Sequence, residues 1–399
     1  MAKKPVNSRL GREQIGQIEN LLPELTALRQ EIHRNAELAG SEKNTAKIII
    51  NYLKKQKPAE LITGIGGNGI LAVYKGQNSK SSVCFRAELD ALSIPEKNEF
   101  NYRSKNPRVA HKCGHDGHMV ILCGMANLLS QSTPFSGDVM LLFQPAEEIG
   151  AGAAEMLEDP KFKTFRPDYI FALHNFPGFP LNQVILKSGT LFCASSGMII
   201  KLYGKTCHAA HPEEGLNPAV GMCEIIGALN HLPQTPELKS AFSMVTIIHA
   251  TLGEIAFGTS PGEAQIMCTL RGSSDETMEE LVKLSEDYVN TICLKHGLKY
   301  EISWSDKFHA TRNDPELVNI IKQAAQSLDF VTTTLDVPFR PSEDFGQFTS
   351  RYDGAMFGIG AGENHPALHH DNYDFPDQII KTGLLINLSI LDKILSNQF

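Results

Sequence analysis

A chain of 399 residues with 42% hydrophobic and 21% charged residues is long enough for two or three compact units, each with its own core. Those fractions exclude a disordered chain, and 32 Gly with 21 Pro exclude a collagen-like or low-complexity one. The net charge of −8, from 37 basic and 45 acidic residues, leaves no surplus to neutralise a phosphate backbone, so no nucleic-acid partner is expected.

In chain order, apolar residues at Ile15, Ile18, Leu21, Leu22, Leu25, Leu28 and Ile32 predict an amphipathic helix over Gln14–Ile32. A shorter helix is predicted at Thr45–Leu53. Strands follow at Ile70–Tyr74 and Ser82–Glu88, separated by a Gly/Asn/Ser turn. A helix over Gly117–Leu129, a strand at Val139–Phe143, a helix near Gly152–Leu157 and a strand at Tyr169–Leu173 complete an alternating pattern. Alternation of this kind predicts an α/β unit of three layers with a mostly parallel sheet.

Past Ser188 the rhythm changes. A strand (Ser196–Tyr203), a helix (Pro218–Leu229), two strands (Phe242–Ala250 and Glu263–Arg271), a helix (Glu276–Lys295) and a strand (Lys299–Trp304) follow. Their β-α-β-β-α-β order is that of a ferredoxin-like α+β unit. A helix at Pro315–Leu328, a glycine-rich strand at Ala355–Gly362 and a helix at Asp377–Leu395 then resume the first pattern. The expected organisation is one α/β domain in two parts, 1–190 and 305–399, interrupted by an inserted α+β domain at 191–304. Gly189 and Ser303–Asp306 are the expected hinges.

No apolar run approaches the roughly 20 residues of a membrane span, so no membrane partner is expected. Met1–Pro5 is basic without an apolar core behind it, which predicts no leader and a cytoplasmic protein. In that setting the eight cysteines are expected as thiols. Cys84, Cys123, Cys193, Cys223, Cys268 and Cys293 have apolar neighbours and read as core residues. Cys113 lies between two histidines.

The segment His111–His118 holds three His, one Cys and one Asp in eight residues. Cys113 and His115, two apart in a Gly-containing loop that opens a helix, can turn a thiolate and a neutral imidazole toward one ion. Asp116 and His118 are candidates for orienting those ligands. The competing reading is a polar turn whose histidines cap the helix. A second signal is Glu147–Glu148, directly after a strand, where ligands bind in open α/β sheets. Such a pair is commonly a solvated turn. Beside a metal, one carboxylate can bind the ion while the other takes a proton from water. His174, at the end of an apolar strand, and the His365/His369/His370 cluster are further ligand sources, although either could be ordinary polar structure. His208 lies in a loop of the inserted unit and could be lowered onto a substrate.

The run His111 to His118, with Gln144–Glu148 downstream, resembles the aminoacylase/carboxypeptidase metallo-amidohydrolases, in the subgroup of hippurate hydrolase, N-acyl-amino-acid amidohydrolases and auxin-conjugate hydrolases. The likeness extends to Arg86–Leu92, the His208 loop, Thr269–Arg271, Ser342–Phe345, Gly358–Gly362 and Leu368–His369. It implies a site for two divalent ions, zinc or manganese with cobalt or nickel possible, held by Cys113, His115, Glu148, His174 and His369. It also implies that the split α/β domain is catalytic and the inserted one a lid and dimerisation domain, with Glu147 as general base and then acid, His208 as oxyanion stabiliser in the opposite subunit of a homodimer, and Arg271 at the substrate carboxylate. The activity implied is amide hydrolysis of small N-acyl amino acids. The alternatives are a dipeptidase, a carboxypeptidase, a deacetylase of an N-acetyl intermediate, or a metal-binding regulator without turnover. The sequence departs from the subgroup at Glu88, where Asp is usual, at Ser93 for Pro, and at Gly258, where an Asn is usual.

Overall fold

A computed structural model of the chain describes residues 12–77, 81–131 and 136–396. Met1–Pro5 and residues 78–80 of the Gly/Asn/Ser turn lie outside the described residues. The chain divides into two compact units: residues 1–191, 312–337 and 344–399, and residues 192–311 with 338–343.

The first unit is built on an eight-stranded sheet. Its order is Glu60–Ile65, Gly69–Tyr74, Asp138–Gln144, Ser82–Glu88, Tyr169–Pro177, Asp353–Gly362, Val184–Leu186 and Thr332–Thr334. The four strands from Asp138–Gln144 to Asp353–Gly362 run parallel, as does the final pair. Antiparallel neighbours flank the central block. Gly69–Tyr74 and Asp138–Gln144 are buried at every residue, which is why both read as continuous apolar runs rather than alternating ones. Ile18, Leu25 and Ile32 of helix Arg12–Arg34 recur at helical spacing and join one core with helix His115–Gln131 and helix Gln378–Ser396.

Three strands of this sheet, Glu60–Ile65, Val184–Leu186 and Thr332–Thr334, carry no alternating signal and were not expected. The strand predicted to stop at Leu173 continues to Pro177, because parallel pairing with Asp353–Gly362 carries it through the polar His174 and Asn175. His174 therefore sits within a strand and not at its end.

The second unit is a four-stranded antiparallel sheet in the order Ser243–Leu252, Glu263–Gly272, Ala194–Tyr203, Lys299–Phe308. Glu263–Gly272 alternates residue by residue between buried and part-exposed positions, the period expected of a sheet covered on one face. Helices Ala219–His231 and Asp275–His296 supply the cover through Ile225, Leu229, Leu281, Val289 and Ile292. The longer helix has sharp ends: the Ser274 hydroxyl accepts from Thr277 N–H, and Gly297 closes it at φ 67°. Ser303–Asp306 is part of strand Lys299–Phe308, where the register shifts between Ser305 and Phe308 and Asp306 has φ 48°.

All eight cysteines are free thiols. Cys223 is exposed, contrary to expectation. The buried face of its helix runs through Gly221, Ile225 and Leu229, and position 223 falls off that face.

Candidate metal centre

The first unit gathers the residues singled out in its sequence. Cys113 and His115 stand on the turn entering helix His115–Gln131, which Gly114 makes at φ 98°. His174 comes from strand Tyr169–Pro177, Glu147 and Glu148 from the turn after strand Asp138–Gln144, and His369 from the loop after strand Asp353–Gly362. The sheet brings these strand ends together, so residues up to 256 positions apart (113 to 369) become neighbours.

Ligand-type atoms of Cys113, His115 and His174 lie within 4.8 Å of one another, and so do those of Cys113, Glu148 and His369. The two groups share the Cys113 sulfur. A third group joins His115 to Glu147 and Glu148. Cys113 Sγ is 3.4 Å from His174 Nε2, and His369 Nε2 is 3.7 Å from Glu148 Oε2. His115, His174, Cys113 and Glu147 are buried, whereas the His369 side chain is 51% exposed and offers a way in.

The surroundings orient these groups. His115 Nδ1 is 3.0 Å from the Asp90 carbonyl oxygen, and the Asp90 carboxylate accepts from Glu148 N–H at 2.9 Å. One residue thus fixes a histidine and a carboxylate of the cluster. His174 Nδ1 is 2.8 Å from the Asn175 carbonyl oxygen, which turns Nε2 toward Cys113. His369 has φ 64° and is anchored by its N–H on the Lys112 carbonyl oxygen at 2.7 Å.

The residues present fit divalent ions. His115 Nε2 is buried and makes no hydrogen bond among the described residues, with Glu147 Oε2 at 3.7 Å and Glu148 Oε1 at 3.8 Å. Those spacings are too long for hydrogen bonds and suit atoms arranged around a shared ion. Thiolate, imidazole and carboxylate together are the donor set of zinc, manganese, cobalt or nickel. Burial by itself would lower the His115 pKa, yet its bond to Asp90 and the charges of Glu88 and Glu148 push it up to about 10. The other two histidines shift the opposite way: burial and the neighbouring His118 lower the pKa of His174, and burial with His115 lowers that of His369.

Of the candidate orienting residues, His118 lies 2.7 Å from Glu88 Oε2 through Nδ1 and 2.7 Å from Asn175 Oδ1 through Nε2. Asp116 turns the other way, toward Arg29 and His33. Glu88 contacts Arg86, whose guanidinium also binds Gln144 and Asp344. Asp90, Asn175 and Asp344 were not singled out by sequence reasoning as working parts of the site. Asp90 and Asp344 stood in the matched Arg86–Leu92 and Ser342–Phe345 runs and could have been found there.

The second unit holds His208 and Arg271. His208 is exposed, and its Nδ1 accepts from Ala210 N–H at 3.0 Å. Arg271 is half-buried. It donates to the Arg340 carbonyl and the Ser342 hydroxyl at 3.1 and 2.9 Å, and has no carboxylate partner among the described residues.

The model of peptidase family M20/M25/M40 matches residues 84–393. Hippurate hydrolase of Campylobacter jejuni is 32% identical over 373 residues, covering 92% of this chain and 95% of that protein. N-acetyldiaminopimelate deacetylase of Bacillus velezensis is 30% identical over 375 residues, covering 92% and 98%. Among solved structures, the YXEP protein of Bacillus subtilis, described as a dinuclear metal-binding peptidase of the M20 family, shares the fold. It has a TM-score of 0.83 at 24% identity and covers 95% of this chain and 99% of that one. No helix among the described residues is long and apolar enough to cross a membrane. With the family model matched over most of the chain and both enzymes similar over nearly its whole length, the protein belongs to peptidase family M20/M25/M40 and is a hydrolase of amide bonds.

Proposed function

We propose that the protein hydrolyses small N-acyl amino acids, using two divalent ions held by Cys113, His115, Glu148, His174 and His369, with Glu147 as the proton carrier. The observation that carries this reading is the pair of three-residue groups sharing Cys113, with Glu147 beside His115. Ions bound there would polarise the scissile carbonyl and bring the pKa of water from about 15.7 toward 7. Glu147 takes the proton as water adds to the carbonyl carbon. It then delivers that proton to the amide nitrogen as the C–N bond breaks, leaving a carboxylate and an amine. His208 is assigned to the oxyanion and Arg271 to the substrate carboxylate, which a guanidinium can grip through two N–H donors.

The reading includes a homodimer formed through the second unit. Support comes from Ile248 on strand Ser243–Leu252, which lies at one end of its sheet, and from Ile255 and Phe257 just beyond it, all strongly exposed. An edge strand flanked by exposed apolar side chains suits pairing with a second copy. Deacetylation of an N-acetylated biosynthetic intermediate is the second reading, favoured by the Bacillus velezensis relative.

The test is a panel of N-acetyl and N-benzoyl amino acids and dipeptides, run after loading with zinc, manganese, cobalt or nickel. Glu147→Gln is expected to retain its metal content and lose at least about 100-fold in turnover, the scale of a lost general base. Near-normal turnover in that variant would remove Glu147 from the mechanism.

A further inference from the structure

We propose that Asn175 is a positioning residue that holds the elements of the metal centre in register, an inference that rests on the reading of that centre above. Its backbone carbonyl orients His174 through the 2.8 Å contact with Nδ1. Its side-chain oxygen lies 2.7 Å from His118 Nε2, one helical turn beyond His115. Its side-chain nitrogen donates to the Tyr373 hydroxyl at 2.5 Å, four residues beyond His369. The same amide packs under the Cys113–His115 turn: a Cβ at Gly114 would stand 2.2 Å from Asn175 Oδ1. Only glycine permits that approach at φ 98°.

The contacts continue past Asn175. His118 Nδ1 meets Glu88, Glu88 contacts Arg86, and Arg86 Nε donates to Gln144 Oε1 at 2.8 Å, three residues before Glu147. A single buried polar chain, Gln144–Arg86–Glu88–His118–Asn175–Tyr373, therefore touches each element that presents a candidate ligand. Glu88, His118, Asn175 and Tyr373 are all buried, so each bond in the chain is shielded from water and directional. Asn175 is its central crossing, because it contacts the Cys113 turn, His174, His118 and the His369 loop.

The experiment measures cobalt(II) affinity and the visible absorption of the cobalt-loaded protein, with no substrate present. Tyr373→Phe removes one hydroxyl, and Asn175→Leu removes the amide at similar volume. Each is expected to weaken cobalt binding about 10- to 100-fold and to shift the thiolate–cobalt bands, the scale for loss of a group that orients a ligand. The control is Asn313→Leu. Asn313 is an equally buried asparagine of the same unit, bonded to the Lys187 and Met356 carbonyls at 2.9 and 2.7 Å and outside the chain of contacts. It is expected to lower the melting temperature and leave affinity and bands unchanged. Wild-type affinity and spectrum in both test variants would overturn the proposal, as would an equal loss in Asn313→Leu. If Asn175→Leu does not fold, Tyr373→Phe decides alone. Wild-type protein that binds no cobalt would overturn the centre itself and this inference with it, a failure visible before any variant is made.

Discussion

His33 provides a sharp test of the buried charges beside the site. It is fully buried on helix Arg12–Arg34, with Nδ1 2.9 Å from Asp116 Oδ2 and Nε2 2.9 Å from Glu96 Oε1. Asp374 approaches to 3.9 Å, and the rings of Phe100, Tyr102 and His111 surround it. Two other cations share the same carboxylates, Arg29 on Asp116 at 2.9 Å and Lys112 on Glu96 at 2.6 Å. Burial alone would lower the His33 pKa, but the hydrogen bonds to Asp116 and Glu96 outweigh it and push the value up to about 9 from 6.5. A raised folded-state pKa contributes stability that is fully present below about pH 6.5 and is lost as pH rises through about 9. At about 1.36 kcal/mol per unit the contribution is roughly 3 kcal/mol. The assay is urea unfolding followed by circular dichroism, for wild type and His33→Gln, at intervals from pH 6 to 10. Titration of the metal-site residues is common to both proteins and cancels in the difference. The stability advantage of wild type over the variant should shrink by roughly 3 kcal/mol across that range. A difference that stays constant with pH would refute the assignment of His33 as a buried cation.

Three further outcomes follow from the same geometry. In Gly152→Ala the new Cβ would stand 1.6 Å from the Pro145 carbonyl oxygen, so the turn carrying Glu147 and Glu148 must open. A clear fall in melting temperature with weakened metal binding is expected, and calorimetry with metal titration would show it. Cys113→Ser removes the atom common to both ligand groups, so elemental analysis should find fewer ions per chain than in wild type. Gly258→Asn restores the residue usual in the resembling subgroup, and a Cβ there meets nothing within 4 Å. That variant should melt within about 2 °C of wild type, since surface changes stay within about 0.5 kcal/mol. It should also change the relative rates on N-acetyl and N-benzoyl substrates, as a hydrolysis panel would reveal.

Where the sequence could be read, a local pattern carried the information. Strand Ser82–Glu88 was legible to the residue because its apolar run is bounded by Ser and by the acidic Glu88. Helix Asp275–His296, expected as Glu276–Lys295, was legible to within one residue at each end, where Ser274 caps its start and Gly297 closes it. Cys113 and His115 were legible because two ligand types stand two residues apart. What was hidden depends on distant pairing. Asn175 looks like one more polar residue after His174, and its partner Tyr373 is 198 positions away. Asp116 beside the ligands suggested an orienting carboxylate, but Arg29, 87 residues away, draws it to the opposite side. A residue type and a short spacing can name a ligand. They cannot say which way its neighbour turns.

Substrate choice belongs to the same hidden class. Two relatives of nearly equal similarity, 32% and 30% identical and each covering 92% of this chain, carry the names of a hippurate hydrolase and an N-acetyldiaminopimelate deacetylase. Overall likeness therefore cannot select between a benzoyl and an acetyl conjugate. The cluster of Cys113, His115, Glu148, His174 and His369 cannot select either, because the chemistry it suits acts on the amide carbonyl that every such substrate shares. Discrimination has to come from side chains that meet the parts of the substrate that differ. A pocket distinguishes apolar groups by only about 1–3 kcal/mol per methylene, whereas an unpaired buried polar group rejects a mismatched substrate far more strongly. Arg271 is not such a group: it is assigned above to the substrate carboxylate, which every N-acyl amino acid carries, and it already donates to the Arg340 carbonyl and the Ser342 hydroxyl. Gly258 is a better candidate, a position where the amide side chain usual in the resembling subgroup is missing. On the reading proposed above, selectivity should accordingly follow residue 258 of the second unit more closely than any change among the candidate metal ligands of the first.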